Sequence, residues 1–264
     1  MGSATREALA DAIAALNAVA GAADLATGEQ LLQAAVTIGG SAPLRAALAD
    51  DSAEKSDKRG IVDALFGGFT DRARAVLGAI ADARWSSDAD LVAAVEELGI
   101  RAIAESAPSS VSIEGELFAF AAAVRSDAEL ELAVSSKLGS TESKVALVER
   151  LLSGKASVQT IAILRALVQQ PGERRIGELI RYATSTVADQ AGLAIATITA
   201  AKPIPATQLT RLVKGLSAQY GRELKVNQVV DPAILGGIRV QVGDDVIDGS
   251  VATRLNDLRL QLAR

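Results

Sequence analysis

Shifted by 86 positions, this sequence falls on itself. Lys58 lands on Lys144, Leu31 on Leu117, Leu32 on Phe118, Ala35 on Ala121 and Ile38 on Val124. Leu44 meets Leu130 and Leu48 meets Val134. Ile61, Val62, Leu65 and Phe66 meet Leu147, Val148, Leu151 and Leu152, and Gly68 meets Gly154. Two amphipathic segments in phase by chance would give part of this pattern. The register nevertheless survives two loops and carries a matched Lys and a matched Gly, which favours a duplicated helical module. The second copy runs from about Ile113 to Gln190 and lacks a counterpart of the first helix.

The repeated unit is helical. Hydrophobic residues make up 49% of the chain but aromatics only 3%, so Ala, Leu, Val and Ile must build cores of closely packed helices. Leu9, Ile13, Leu16 and Ala20 recur at helical spacing, with Gly21 as a stop. Thr27, with Gln30 three residues on, predicts a capping box. The helix it opens carries Leu31, Leu32, Ala35 and Ile38 and ends at Gly39-Gly40. Ser41 begins a short helix with Leu44 and Leu48. Ile61, Val62, Leu65 and Phe66 mark a fourth helix. Ala73, Val76, Leu77 and Ile80 mark a fifth, which Trp85 ends. Ser87 starts a sixth with Leu91, Val95, Leu98 and Ile103. Six helices with short connections predict a bundle over 1–107. The linker SAPSSVS leads to a second helical module over 108–190. Glu96-Glu97 and Glu173-Arg174-Arg175 read as solvated helix faces, the latter also as a partner contact. Trp85 reads as a helix-end anchor or as an interface hot spot.

The texture changes over 191–264. Leu193 to Ala200 is a short apolar run rich in Ile and Thr, which predicts a buried strand. Pro205 opens a helix with Leu209, Leu212, Val213, Leu216 and Tyr220, and Gly221 closes it. Leu224, Val226 and Val230 alternate as a second strand, completing a βαβ unit. Ile238, Val240 and Val242, a Gly243 turn, and Val246-Ile247 form a β-hairpin. Asp248 or Ser250 caps a last helix with Val251, Leu255, Leu258 and Leu262 on its apolar face. The fold class is therefore mainly α: a six-helix bundle, a duplicated helical module, and a small C-terminal α/β domain.

The chemistry this chain can perform is narrow. With no Cys and no His, it has no thiolate nucleophile, no imidazole base and no Cys/His zinc site. A net charge of -5, with Lys and Arg scattered, argues against nucleic acid as a partner. The N-terminus does not read as a signal peptide, and no apolar run reaches the ~18 residues of a membrane span. Any membrane association must then come through a partner. Gly236, Gly237 and Gly243 invite comparison with a phosphate loop. They flank strands rather than a helix N-terminus, and no GK[ST] follows, so a bulge and a tight turn fit better. Asp244, Asp245 and Asp248 lack EF-hand spacing and read as turn and cap. No catalytic, cofactor-binding or metal-ligating residue emerges.

Asp231-Pro232, Gly236-Gly237, Gly243-Asp244, Val246 to Ser250 (VIDGS) and then Leu255 and Leu258 resemble, in order, the C-terminal signature of the ATP synthase delta subunit. The mitochondrial counterpart of that family is the oligomycin-sensitivity-conferring protein. Thr199-Ala200 with Lys202-Pro203-Ile204 is also similar to the family's run into its C-terminal domain. The likeness covers roughly 170–264, and 1–107 is similar at the level of a six-helix bundle. The extra helical copy resembles the longer delta subunits of actinobacteria. The resemblance marks Asp231, Pro232, Gly236, Gly237, Gly243, Asp248, Gly249, Ser250 and Leu255 as structural signature residues. It implies a non-catalytic stator subunit that needs no cofactor. A helical bundle would hold the N-terminal helices of the alpha subunits. The C-terminal domain would hold the b subunit of the peripheral stalk, at the cytoplasmic face of the cell membrane. The alternative is a helical-repeat scaffold with an accessory ligand-binding α/β domain.

Overall fold

The computed structural model describes residues 2–18, 24–135, 140–169, 175–243 and 245–251. Among them are twelve helices and four strands, in two compact units, Met1–Val187 and Ala188–Arg264. The chain is mainly α with a small C-terminal α/β sheet, as its sequence predicts. The expected terminal helix, with Leu255, lies outside the described residues.

The first unit opens with α1 (Ser3–Ala18), α2 (Leu25–Gly39), α3 (Ala42–Ala49), α4 (Lys55–Phe66), α5 (Asp71–Asp82) and α6 (Asp88–Glu105). Polar caps set most of the starts. Ser41, Thr70 and Ser87 each accept a hydrogen bond from the backbone N–H three residues on, a bond worth about 1 kcal/mol per helix. At α2 the expected capping box does not form. Asp24 is the cap, accepting from the Thr27 N–H at 2.6 Å. Gln30 instead reaches across to α5, where its Oε1 accepts from the Thr70 N–H at 2.8 Å. A carboxylate one turn earlier outcompetes the Thr27 hydroxyl, which is buried against Asp24 and Thr70.

Leu16, Leu31, Ile38, Leu48, Val76, Ile80, Leu91 and Leu98 form the core of these six helices. Leu65 departs from expectation, standing 52% exposed on the outer side of α4. Trp85 is an anchor: its ring is buried and its Nε1–H donates to the Ile80 carbonyl at 2.8 Å. The centre is the crossing of α2 and α6. A Cβ on Gly28 would collide with Ile103, lying 2.8 Å from its backbone nitrogen and 2.9 Å from the Gly99 carbonyl. A Cβ on Gly99 would stand 2.8 Å from Leu32 Cγ. The two helices therefore meet almost backbone to backbone. Because α6 is enclosed, Glu96 and Glu97 are buried, contrary to the solvated face expected of them. Glu97 accepts from Arg101 at 2.8 Å and from the Tyr182 hydroxyl at 3.2 Å.

The unit continues with α7 (Ile113–Ser126), α8 (Ala128–Ser135), α9 (Thr141–Leu152), α10 (Val158–Gln169) and most of α11 (Ile176–Gln190), whose last residues, from Ala188, fall in the second unit. Of the run Glu173-Arg174-Arg175, only Arg175 lies among the described residues. Ile113, Leu117, Val124, Val148, Ile163, Leu167 and Ile180 form a second core, which also takes in Leu32, Ile100 and Ile103. Thus α2 and α6 serve two cores from opposite faces, and both pack against α10.

In the second unit, β1 (Ala194–Ala200) pairs in parallel with β2 (Leu224–Val230) and antiparallel with β3 (Ile238–Val242). Strand β4 (Asp245–Asp248) completes the order β2-β1-β3-β4. The crossover helix α12 (Ala206–Tyr220) ends at Gly221, whose φ of 64° is left-handed. It covers one face, where Ala196, Ile198, Val240 and Val242 are buried with Leu216.

The α2–α6 crossing gives a direct test. Gly28→Ala should lower the melting temperature by about 4–8 °C, since overpacking a backbone contact costs ~2 kcal/mol. Gly60→Ala, with nothing within 4 Å of its added Cβ, should hold or raise it. Equal melting temperatures for the two variants would refute the close crossing.

Candidate functional site

Among the described residues no three His, Cys, Asp or Glu side chains are grouped to hold a metal ion. What the first unit offers is a groove of about 670 Å³ between α1, α4 and α5. Its floor is the outer face of α5, where Ala75, Gly78 and Ala79 leave room above the backbone. A Cβ on Gly78 would meet nothing within 4 Å. Asp11 stands on the α1 wall, and Lys55, Arg59, Val62 and Asp63 stand on the α4 wall. Several rim charges are matched internally: Arg59 pairs with Asp82, and Arg74 with Asp71 and Asp63. Asp11 and Lys55 have no ion-pair partner among the described residues. A shallow trough floored by small residues and rimmed by charge fits an amphipathic helix; it offers no nucleophile or base. The sequence shows each of these residues, but only the antiparallel packing of α1, α4 and α5 brings them to one trough.

In the C-terminal sheet, the structure gathers part of the signature at one end of the β3–β4 hairpin. The Gly249 N–H donates to the Ile238 carbonyl at 2.9 Å, and the Val251 N–H donates to the Gly236 carbonyl at 3.0 Å. These bonds continue the register of Arg239 with Asp248, so no residue is inserted and the expected bulge at Gly236-Gly237 does not occur. The glycines answer a different need. Gly237 has φ of 80°, and a Cβ there would strike the Gly249 carbonyl and come within 2.9 Å of Ser250 Cα. Gly243, φ 59°, turns the hairpin at its other end. Asp244 lies outside the described residues. Asp231 and Pro232 stand apart from these, in the turn after β2, where the Asp231 N–H donates to the Ala200 carbonyl at 2.9 Å.

Asp248 is the electrostatic tie of this end. The Ser250 backbone N–H, the Ser250 hydroxyl and Arg239 hold its carboxyl down at about 2, below the ordinary aspartate value of 3.8. The Arg239 guanidinium lies 3.0 Å away. A depressed folded-state value means stability that is present above pH 3.8 and lost as pH falls toward 2. Asp248→Asn should therefore flatten the acid limb of a stability–pH profile between these values, and an unchanged limb would exclude the tie. Gly237→Val should unfold the sheet, read as loss of protected amides in 194–248 with the helical unit intact. Full protection in that variant would refute the close approach.

Residues 100–262 match the family described as ATP synthase delta (OSCP) subunit. The chain is 54% identical over 263 residues to the ATP synthase subunit delta of Leifsonia xyli subsp. xyli, covering the whole of both chains. It is 39% identical over 275 residues to that of Pseudarthrobacter chlorophenolicus, again over both full lengths. With that of Thermobifida fusca it shares 34% over 266 residues, 98% of each. The whole length, second helical module included, thus has a counterpart in these relatives. A chain of the Toxoplasma gondii mitochondrial ATP synthase hexamer, solved by cryo-EM, is 24% identical with a TM-score of 0.38, covering 58% of this chain and 86% of that one; this is too loose to bear on the fold. This chain belongs to the ATP synthase delta (OSCP) subunit family.

Proposed function

We propose that the chain is the stator subunit of an F-type proton-translocating ATP synthase, without catalytic residues of its own. Its helical bundle, 1–107, seats the N-terminal helices of the alpha subunits on the catalytic head. Its C-terminal domain, 191–264, holds the b subunit of the peripheral stalk, and the helical module of 108–190 lies between the two in the sequence. The signature residues act by shaping the C-terminal domain. The observation that carries this reading is the α1–α4–α5 groove, in a chain that has full-length kinship to delta subunits. A stator must bind tightly at two places and catalyse nothing. Helix-in-groove recognition does that with apolar surface and rim charge alone, and two sites in series add by avidity. Membrane attachment at the cytoplasmic face follows through the complex; no described helix is long and apolar enough to cross a bilayer.

Reconstitution tests it. Head complexes stripped of their own delta subunit should bind the purified chain at nanomolar concentrations and, with the chain present, recover coupling to stalk-bearing membranes. A chain that leaves head and stalk unjoined in sedimentation would overturn the assignment.

A further inference from the structure

The two edges of the C-terminal sheet are finished differently. Strand β4 is four residues long and carries Asp245 and Asp248, so length and charge blunt it. Strand β2 runs seven residues, LKVNQVV, without a proline, and its register against β1 is unbroken from Leu224 to Val230. Its one charge is Lys225, near one end.

Hydrogen bonds at the ends of β2 fix which way its backbone points. The Glu223 carbonyl accepts from the Ala194 N–H at 3.0 Å, and the Asp231 N–H donates to the Ala200 carbonyl at 2.9 Å. Along a strand in a parallel ladder, both polar groups of a residue point to one side, and the side alternates. Residues 225, 227 and 229 therefore turn their N–H and C=O groups to β1. Leu224, Val226, Gln228 and Val230 turn theirs outward, and none of these outward groups has a partner among the described residues. Val226, Gln228 and Val230 stand beside Ala196, Ile198 and Ala200, whose side chains are buried on the face that α12 covers. The Gln228 Nε2 is itself buried with no acceptor, a costly state for an amide. Val230, at the end of the run, is 46% exposed. A long, bare and unblunted edge of this kind is a template for another strand.

Charge indicates what that strand carries. Residues 191–264 hold nine Lys and Arg against six Asp and Glu, whereas 1–190 hold 18 against 26. Helix α12, which packs on β2, has Arg211 and Lys214 as its only charged residues, and both are exposed.

We infer that the β2 edge takes an extended, acidic segment of the stalk partner as a fifth strand, held by the main-chain groups of Leu224, Val226, Gln228 and Val230. This rests on the stator reading and adds to it the place and the mode of recognition, strand addition rather than the docking of a helix. Alternate side chains of the segment lie beside Val226 and Val230 on the α12 side, where an acceptor satisfies Gln228. The others lie beside Asn227 and Val229 on the opposite face. Main-chain pairing supplies the affinity, and side chains and charge select the partner.

The test uses the full chain and the detergent-solubilised b subunit of the same synthase, with amide hydrogen exchange read residue by residue. In the free chain the amides of Leu224, Val226, Gln228 and Val230 should exchange fast, while those of 225, 227 and 229 are protected. With the b subunit bound, the outward amides should slow by at least about tenfold. Gln228→Pro removes an outward donor and keeps the ladder to β1; it should melt close to wild type and bind the b subunit at least about tenfold more weakly. Asn227→Pro removes a donor to β1 and should melt lower than Gln228→Pro; equal melting would refute the assignment of the two sides. If Gln228→Pro does not fold, the exchange pattern of the wild-type chain decides alone. Outward amides already protected in the free chain would mean that the chain covers its own edge, which overturns the inference. Wild-type affinity in Gln228→Pro, or binding that leaves the outward amides fast, also overturns it and leaves the stator reading standing. A chain that does not bind the b subunit overturns the reading itself.

Discussion

The first unit depends on two helices touching where they have no side chains. Gly28 and Gly99 let α2 and α6 approach until the Cβ of any other residue would meet backbone. At that separation neither helix can hide behind the other, so each shows usable surface on two sides. Leu31 and Ile38 on α2, and Leu91 and Leu98 on α6, fill one core. Leu32, Ile100 and Ile103 fill the other. Enclosure on this scale explains why α6 buries Glu97 and Arg101, which it can do because each satisfies the other at 2.8 Å. A wider crossing would let water between the two cores and leave that ion pair half hydrated.

Much of the fold was readable because it rests on local chemistry. Ser41 and Ser87 cap as their positions suggest, Gly221 stops α12 in the left-handed region, and the alternation of Ile238, Val240 and Val242 gives β3. What could not be read lies in contacts between elements. Gly28 and Gly99 look, in sequence, like weak points inside helices, and only the crossing shows why they are small. Glu96-Glu97 has the composition of a wet face; the burial of α6 is a property of its neighbours. Thr27 has the composition of a cap, and Asp24 takes that place by standing one turn nearer the start with a stronger acceptor.

The candidate site was legible in part and for the same reason. The signature residues around Asp248 announce a tight hairpin, and the hairpin is there. The purpose of Gly236 and Gly237 was misjudged, because a bulge and a close backbone approach use the same residue, and only the unbroken register distinguishes them. The groove was not visible at all. Gly78 sits in an ordinary run of alanines, Asp11 is 67 positions away, and nothing in either segment points to the other.

The second module has no first helix of its own because α2 and α6 already lie against α10, where α1 lies against α5. That arrangement makes the dependence between the modules lopsided. The six-helix bundle owns its core and its closing helix. The second module borrows a wall, so cut out by itself it would present a greasy flank in solution. The bundle, trimmed to stand alone, would keep its interior and show water only Leu32, Ile100, Ile103 and their neighbours. A single-module chain of this design would need polar residues at those few positions to stay dispersed, which makes them a marker, in composition alone, of whether a delta chain carries one helical module or two.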